Sequence, residues 1–555
     1  MPVKPIRKSD GRGIDPISTG AVPNTAMNIP RPFFRVHGMV RGLEAVPVSP
    51  QFEGRFGRMF RRLPPAVFSE AALHDLAAEG HVTAEQEEES TPETEADDEE
   101  NVGPDATRPA ISSGYTYWGQ FIDHDLTFDP ASSLQKENDP DALVDFRTPR
   151  FDLDNVYGRG PDDQPYMYQP DGVRFVLGRP LTGNSKDPNS RDLPRTGAGR
   201  AIIGDPRNDE NVIVSQLQAT FLRFHNRMAD VMAVSDPNLF STVQREVRFH
   251  YQWAVLFDFL KTIIGEDRLR QLLPHLGTKE QSPLEKPPAL KYYDKPRNDL
   301  FIPVEFTVAA YRFGHSMVRP QYRLNEVTPK QEGNPGGGED PRLPIFRPDN
   351  TKESLVGFRE FPSTWAVDWS LFFATGNKAT QFGKGRIQPA YKIDTSLVNP
   401  LGTLPASVQG PVPFRSLAER NLLRGLRMRL PSGQAVAAAM GVTPIEDVNL
   451  RVGKANEEDT KTNPRLIDIS PEFVGNAPLW YYVLAEAQQA FKNDKTPLRL
   501  GEVGGRIVGE VFIGLMWHDP QSFLHQKVCW RPREDFLSKG GEFGIAELIA
   551  QAMRA

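Results

Sequence analysis

The chain has 555 residues, of which 39% are hydrophobic and 25% charged, and it contains 50 prolines and 45 glycines. This composition excludes a collagen, a coiled coil and a polytopic membrane protein. Ten of the acids behind the net charge of -7 lie between Glu85 and Glu100, and the balanced remainder gives no electrostatic argument for nucleic acid or an anionic membrane as the main partner.

The first part of the chain is expected to lie outside the main body. Residues 1–32 are rich in Pro, Gly and Arg without a period, which is typical of an arm that wraps a surface or is disordered. Residues 33–83 are predicted to form an extension that packs on the body, with a short helix over 64–76. Residues 84–110 carry the acidic tract and are expected to form a solvated loop or linker.

The N-terminal sequence and the cysteine content bear on the compartment. The first twenty residues lack the apolar stretch of a secretory signal, and no apolar run is long enough to cross a membrane. Cys529 is the single cysteine, so a disulfide within the chain is excluded and nothing requires an oxidising compartment. We therefore expect a cytoplasmic protein, while export by a signal-independent route would leave the same N-terminus. The oligomeric state stays open.

The remaining residues, 111–555, are expected to form the functional domain. Apolar residues recur there mainly at helical spacing, and turn-rich clusters separate the periodic stretches. This pattern predicts a mainly α-helical domain with long irregular loops. Four of its segments place polar groups on otherwise apolar helical stripes.

The first segment runs from Tyr115 to Asp129. Gln120, Asp123 and His124 stand there at positions i, i+3 and i+4, so they share one face of the predicted helix. That face carries an amide, an acid and an imidazole. Such a group on its own is most often a helix surface or cap.

The second segment is Gly204-Asp-Pro-Arg-Asn-Asp-Glu210. Asp205 is a suitable N-cap and Pro206 suits the first helical position. Arg207 and Glu210 then lie one turn apart, and a helix over about 215–234 is predicted to follow.

The third segment, Pro303 to Arg319, is predicted to be a helix that stops before a proline. Its apolar stripe includes His315, and Arg312 lies one turn earlier. A histidine on such a stripe is usually a core residue whose hydrogen bonds are satisfied.

The fourth segment opens on a capping box, Ser416 and Glu419. It places Asn421 and Arg424 on one face together with a leucine. Because a buried amide and guanidinium require partners, this face is expected to contact other polar groups.

In order and spacing, the four segments resemble the motifs of the animal-type haem peroxidases of the peroxidase-cyclooxygenase superfamily. The sequence Trp118-Gly-Gln-Phe-Ile-Asp-His-Asp125 is similar to the distal-helix motif of that family. The resemblance implies a mainly α-helical haem-peroxidase domain with haem b between a distal and a proximal helix. The absence of disulfides indicates a bacterial branch of the superfamily. A zinc site is not indicated, because there is no HExxH motif or paired histidine at ligand spacing.

The resemblance implies a role for each residue on the distal side. His124 would be the distal histidine, Gln120 its companion and Arg207 the catalytic arginine. Asp123 and Glu210 match the two acids that form esters with the haem in this family.

On the proximal side, Tyr311-Arg-Phe-Gly-His-Ser316 resembles the block that carries the axial iron ligand, which would be His315. Asn421 stands where the family pairs an asparagine with that imidazole. Arg312 and Arg424 would hold the haem propionates, for which a guanidinium is well suited.

The sequence Arg147-Thr-Pro-Arg-Phe-Asp-Leu-Asp154 is similar to the calcium loop of the family. The resemblance implies oxygen ligands from Thr148, the Arg150 carbonyl, Asp152 and Asp154, together with Asp125. Hydroxyl, carbonyl and carboxylate oxygens are the ligands that calcium prefers.

The resemblance implies a peroxidase that reduces hydrogen peroxide through an oxoferryl intermediate, with a place in the response to oxidative stress. Its donors would be bromide, iodide, thiocyanate or aromatic compounds. Asn211 stands where some members have a methionine bonded to haem, so chloride oxidation is not expected.

Two alternatives stay open. A fatty-acid dioxygenase of the cyclooxygenase type needs a tyrosine three residues before the proximal histidine, and that place is Arg312. A haem-binding protein without turnover would tolerate the loss of His124 or Arg207, and both are present.

Overall fold

The computed structural model describes most of the chain from residue 54 onward, and all of these residues belong to one compact unit, 49–555. The predicted arm, the first part of the extension and the acidic tract, 84–109, lie outside the described residues. The described ranges are 54–78, 81–82, 110–127, 144–145, 148–232, 238–274, 286–293, 300–325, 342–347, 353–375, 387–405, 414–455, 462–491, 495, 497–526 and 529–555.

Over these ranges the domain is mainly α-helical, as the sequence predicts. The α-helices are α1 Glu70–Ala77, α2 Gly114–Leu126, α3 Asp154–Tyr157, α4 Val212–Val231, α5 Leu239–Ala254, α6 Lys261–Ile264, α7 Glu266–Leu272, α8 Asn399–Gly402, α9 Leu417–Arg427, α10 Gly433–Met440, α11 Leu466–Ile469, α12 Leu479–Gln488, α13 Glu502–His518 and α14 Ile545–Ala552. None of the described helices is long and apolar enough to span a membrane.

Shorter helices of other types connect these elements. Two π-helices cover Val255–Leu260 and Glu305–Ala309. The 3₁₀ helices are Pro165–Met167, Pro206–Asp209, Ala310–His315, Trp369–Leu371, Asp447–Asn449, Pro471–Phe473, Phe523–His525 and Glu534–Phe536.

The described strands form two small sheets. In the first, β1 (Gly54–Gly57) pairs antiparallel with β2 (Val144–Asp145) and parallel with β3 (Phe301–Pro303), with Phe56 opposite Ile302. In the second, β4 (Gln321–Arg323) pairs antiparallel with β5 (Arg342–Pro344). The helices, not these sheets, enclose the core.

Helix α4 lies at the centre of the domain, where it packs on α2, α5 and α14. Its predicted stripe of Leu217, Phe221, Phe224 and Met228 has no exposed surface. The rings of Phe121 on α2 and Phe221 stack with their centres 4.4 Å apart. This stack fixes α2 on the scaffold, because large aromatic side chains contribute much of the buried area of a core.

The described part of the extension packs on the body at two places. Helix α1 lies against α9. Next to β1, the backbone N–H groups of Met59 and Phe60 both donate to the carboxylate of Glu305, at 3.1 Å. Glu305 is fully buried, so these two hydrogen bonds are what compensate for its removal from water.

The prediction of one regular helix over Pro303–Arg319 is wrong. That stretch comprises β3, the π-helix Glu305–Ala309 and the 3₁₀ helix Ala310–His315. The apolar spacing of three to four residues is compatible with all three helix types, so it could not distinguish them. The hydrogen bonds from Met59 N and Phe60 N to Glu305 lie where the wider π turn begins.

Two other predicted helices are shifted in sequence. Helix α1 begins at Glu70, because the Ser69 hydroxyl caps it by accepting from Ala72 N at 3.1 Å. Helix α4 begins at Val212, before the predicted start, because the Asn211 side chain accepts from Ile213 N at 2.8 Å.

Candidate active site

Gln120, Asp123 and His124 share one face of α2, as their spacing predicts. This face points into the body of the domain. His124 is only 4% exposed, and its Nδ1 lies 2.7 Å from Asn208 Oδ1. Its Nε2 lies 3.6 Å from Glu210 Oε1. The Gln120 amide also donates to Glu210 Oε1. The structure therefore brings Gln120 and His124, one turn apart on α2, together with Glu210, which lies 90 positions after Gln120.

Glu210 is held by the turn that precedes α4. Asp205 caps this turn as predicted, accepting from Arg207 N at 2.8 Å, although the turn is a 3₁₀ helix. Buried Arg195 donates to Asp209 Oδ2 at 2.7 Å and to Asp192 Oδ1 at 3.0 Å. The turn is thus fixed from within by one cation and three acids.

A second segment braces the same turn from the other side. Gly357 N donates to Glu210 O at 2.9 Å, and Phe358 N donates to Asp209 O at 2.6 Å. A Cβ on Gly357 would lie 1.9 Å from Asp209 O, so only glycine allows this approach.

The guanidinium of Arg207 lies against the main chain at the end of α2. It donates to the Asp205 carboxylate at 2.8 Å and to the carbonyl of His124 at 3.0 Å. It also donates to the carbonyl of Thr127. These bonds attach Arg207 to the backbone of His124, and not to the imidazole ring.

The proximal residues of the prediction also come together. The amide nitrogen of Asn421 on α9 lies 2.8 Å from His315 Nδ1. Burial, with the nearby charge of Arg312 adding to it, lowers the pKa of His315 to about 3. The ring is therefore neutral, and a neutral imidazole is the form that binds a metal. Metal binding through Nε2 requires the proton on Nδ1, with the Asn421 amide turned so that its oxygen accepts that proton.

Open space lies beside Gly314, the residue before His315. Arg312, Gly314 and His315 all retain accessible surface, although burial depresses the pKa of both Arg312 and His315. A Cβ built on Gly314 would meet no atom within 4 Å. These three residues therefore border the open space.

The distal helix and the proximal segment face each other across this space. The charge of Asp123 raises the pKa of Tyr311 and opposes the lowering of the Arg312 pKa, so its carboxylate lies close to both. The Tyr311 hydroxyl donates to Gly119 O of α2 at 3.1 Å. These interactions place Asp123 on the side of α2 that faces His315.

The guanidinium of Arg312 is largely removed from water, and few protein groups compensate for the lost hydration. Its Nε donates to Thr307 O at 3.0 Å. In the described part of the chain no carboxylate lies within 4.0 Å of it, in contrast to Arg195 with its two acids. Arg424 follows Asn421 by one turn on α9 and is half-buried. A buried cation such as Arg312 requires an anionic group beside it.

These residues fit haem. Haem needs a neutral imidazole for its iron, a flat space beside it and cations for its propionates. His315, the open space at Gly314 and the guanidinium of Arg312 meet those needs, and Asn421 orients the imidazole through the nitrogen opposite the metal-binding one.

A separate cluster of acids lies behind α2. The carboxylates of Asp125, Asp152 and Asp154 each offer an oxygen, and these oxygens all lie within 4.8 Å of one another. The Thr148 hydroxyl donates to Asp152 Oδ2 at 2.6 Å. The side chain of Arg150 instead pairs with Asp519 at 3.2 Å. Burial raises the pKa of Asp152, since negative charge is costly in this cluster.

The sequence interpretation missed the residues that hold the predicted ones in place. Asn208 and Gln218 are buried, the side chain of Arg195 is 7% exposed, and all three are bonded around the turn that carries Glu210. Asn208 stands between Arg207 and Glu210, so its position was a possible signal. Its contact with His124 spans 84 residues and has no local signature.

Comparisons with known proteins agree with this arrangement. Residues 129–354 match the family model described as animal haem peroxidase. The matched stretch includes Arg207, Glu210 and His315 and begins after α2. The dual oxidase of Drosophila melanogaster is 23% identical over 285 residues, which are 49% of this chain and 15% of that protein. The chain therefore corresponds to a small part of that relative.

The fold is shared with solved structures. Peroxidase A from Dictyostelium discoideum superposes with a TM-score of 0.56 at 16% identity, over 91% of this chain and 94% of that one. A fatty acid alpha-dioxygenase from Oryza sativa gives a TM-score of 0.51 at 15% identity, over 91% and 85%. Both likenesses concern the fold. The family match over residues 129–354, the single cysteine and the shared fold agree with the motifs, and this part of the chain matches the animal haem peroxidase family.

Proposed function

We propose that this protein is a haem peroxidase that reduces hydrogen peroxide and oxidises a small donor. The donors that we propose are bromide, iodide, thiocyanate or aromatic compounds. One observation carries this proposal: His315, with its Asn421 partner, ends a segment that packs against α2, the helix that bears Asp123 and His124.

Different residues around this open space would hold different parts of the cofactor. Haem b supplies the redox chemistry when bound. His315 would hold the iron through Nε2, with the amide oxygen of Asn421 turned to accept the proton of Nδ1. Arg312 and Arg424 would hold the propionates. Arg312 is the better supported of the two, since the described structure gives it no ion-pair partner.

The distal residues would move the proton that peroxide cleavage requires. One peroxide oxygen loses a proton and the departing oxygen gains one, so a single base that later acts as an acid serves both steps. His124 Nε2 is the candidate, since Nδ1 is occupied by Asn208. Arg207, attached to the backbone of His124, would stabilise negative charge on the departing oxygen.

Two acids are positioned for covalent attachment of the haem. Asp123 lies toward Arg312, and Glu210 lies beside His124 and Gln120. We propose that both form esters with the haem during turnover with peroxide. After repeated peroxide cycles, acid butanone should leave the haem on the protein. Haem that is fully extracted after such cycles would contradict the ester proposal.

The acid cluster behind α2 would hold calcium. Three carboxylates and the Thr148 hydroxyl supply hard oxygen ligands, which calcium prefers, and Asp125 follows His124 directly in α2. A bound ion at this place would fix the end of the helix that carries the proposed base.

The optical spectrum of haem-loaded protein tests the proposed function. We expect a Soret band that shifts on addition of one equivalent of peroxide, and we expect His315→Ala to lose or alter that band. His74→Ala, which removes a largely exposed imidazole, is the matched control and should keep the spectrum. No Soret band after full loading of the unchanged chain would overturn the proposal. A band that does not respond to peroxide would indicate a haem-binding protein without turnover.

The same samples distinguish a fatty-acid dioxygenase. The fold likeness to the rice enzyme raises this alternative, but Arg312 occupies the place of the required tyrosine. The neighbouring Tyr311 has its hydroxyl bonded to Gly119 O. With palmitate, we expect no oxygen uptake. With iodide or an aromatic donor, we expect oxidation of the donor that depends on peroxide. Oxygen uptake without donor oxidation would reverse the assignment.

A further inference from the structure

Three buried side chains from three elements form a hydrogen-bonded relay that ends at His124. Asn208 Oδ1 lies 2.7 Å from His124 Nδ1. Asn208 Nδ2 donates to Gln218 Oε1 at 2.8 Å. Neither Asn208 nor Gln218 has exposed surface. Water therefore does not compete for these hydrogen bonds. Asn208 acts on the imidazole directly, and Gln218 acts through Asn208.

The relay has a direction. A neutral imidazole carries one N–H and one lone pair, and an amide oxygen only accepts hydrogen bonds. Asn208 Oδ1 therefore requires the proton on His124 Nδ1 and leaves the lone pair on Nε2. Gln218 Oε1 accepts from the amide nitrogen of Asn208, and this bond keeps the amide oxygen turned toward the ring.

The free ring nitrogen faces the side on which the proposed chemistry occurs. His124 Nε2 lies 3.6 Å from Glu210 Oε1, next to the Gln120 amide. A base that accepts the peroxide proton needs its lone pair on that side. The opposite amide orientation would place the lone pair on Nδ1, inside the protein.

We infer that Asn208 is the positioning residue for His124 and that Gln218 sets the orientation of Asn208. This inference rests on the proposed function, because it assigns His124 Nε2 as the proton acceptor above a bound haem. Neither residue contacts the reacting atoms, so both act through the imidazole.

Cyanide binding measures this role without turnover. Hydrogen cyanide binds ferric haem as an anion, so it must give its proton to a base on the distal side. At neutral pH, we expect Asn208→Leu to slow cyanide association on the order of 10- to 100-fold, as for other groups that orient a functional histidine. Asn208→Asp keeps an acceptor at Nδ1 and should restore association close to the unchanged chain.

Variants of Gln218 test the direction of the relay. Gln218→Glu can only accept from Asn208 Nδ2, so it preserves the proposed direction and should keep fast cyanide association. Gln218→Leu removes the acceptor for Asn208 Nδ2, so the Asn208 amide can rotate. This variant should slow cyanide association less than Asn208→Leu does. If Gln218→Glu instead speeds association above that of the unchanged chain, the Asn208 amide of the unchanged chain presents its nitrogen to the ring, the relay runs the other way and the inference is wrong.

A buried asparagine elsewhere on α4 provides the matched control. The Asn226 side chain bonds to both the N–H and the carbonyl of Phe175, away from His124. Asn226→Leu should lower the melting temperature and leave cyanide association unchanged.

The possible failures are distinguishable. If Asn208→Leu keeps a normal Soret band and binds cyanide at the unchanged rate, the inference fails while the proposed function stands. If the unchanged chain shows no Soret band, the proposed function itself fails. Should Asn208→Leu not fold, the pair Gln218→Glu and Gln218→Leu still decides the question.

Discussion

The Asp152 carboxylate shares its surroundings with Asp125 and Asp154, and their oxygens approach within 4.8 Å. Burial raises its pKa, while the Thr148 hydroxyl and the charge of Arg248 oppose that rise. Three acids so close together repel one another unless a cation lies among them. A divalent ion would turn this repulsion into a stabilising interaction.

Calcium should therefore stabilise the folded chain. We expect a chelator to lower the melting temperature and added Ca²⁺ to restore it, with a gain of roughly 2.7 kcal/mol at a hundredfold excess over the dissociation constant. Asp152→Asn should abolish this response. Asp171→Asn, at an exposed acid paired with Arg174, is the control and should keep it. Equal melting temperatures with chelator and with Ca²⁺ in the unchanged chain would exclude a stabilising site.

Site residues that lie close together in sequence could be predicted to share the site. Residues that meet only through packing of distant segments could not. Gln120, Asp123 and His124 follow from spacing within one helix, because a helix fixes which residues share a face. Asn208 and Gln218 act on His124 only because α4 and the turn before it pack against α2. No pattern within either segment contains that packing.

Among the elements, the proximal segment departs most from regular geometry. The change from π to 3₁₀ helix between Ala309 and Ala310 alters the direction of successive side chains over one turn. His315 is the last residue of the 3₁₀ helix, and Gly314 faces open space beside it. A side chain at position 314 would therefore enter the space that we assign to haem.

Filling that space should block the cofactor without harming the fold. We expect Gly314→Leu to prevent haem loading, seen as loss of the Soret band, while the apoprotein melts near the temperature of the unchanged chain. Gly197→Leu is the matched control, since Gly197 also has no atom within 4 Å of a built Cβ but lies on the surface. Normal haem loading of Gly314→Leu would mean that this space belongs to something other than haem.

The sequence predicted the existence of these elements better than their type. Helix α4 and its buried stripe were predictable, because 3.6-residue periodicity extends over five turns. The proximal segment is short, and at its start Glu305 accepts a hydrogen bond from Phe60 N, 245 residues earlier. Tertiary contacts of this kind override local preference.

For the molecule as a whole, Asp258 ties the C-terminal end of the chain to the beginning of α2. The Tyr115 hydroxyl donates to one of its oxygens, and Ile545 N, at the start of α14, donates to the other at 2.9 Å. A Cβ on Gly544 would lie 2.3 Å from that second oxygen, so glycine is required there. Burial raises the pKa of Asp258 to about 6.

This raised pKa predicts a pH-dependent contribution to stability. The folded value of about 6 exceeds the unfolded value of about 3.9, so the folded state binds more protons between these values. The contribution is complete below pH of about 4 and is lost as the pH rises through 6, with a magnitude of about 3 kcal/mol at most. Replacement with an amide removes the titrating group.

Urea unfolding at several pH values checks this expectation. The difference in unfolding free energy between the unchanged chain and Asp258→Asn should change in favour of Asp258→Asn as the pH rises from 4 to 7. Taking this difference cancels the opposite contributions of His225 and His250, whose pKa values burial lowers to about 4. A difference that stays constant over this range would show that Asp258 does not titrate there.

The hydrogen bond between Asn421 and His315 has a consequence for how the protein is made. The two residues are separated by 106 positions, and the distal group at His124 is further still from Asn421. A nascent chain that has exposed only its first 400 residues to solvent therefore lacks the partner that orients the proximal imidazole. Since domains fold as units during and after synthesis, haem would enter a nearly complete chain, and a ribosome-bound fragment ending before α9 should capture it poorly.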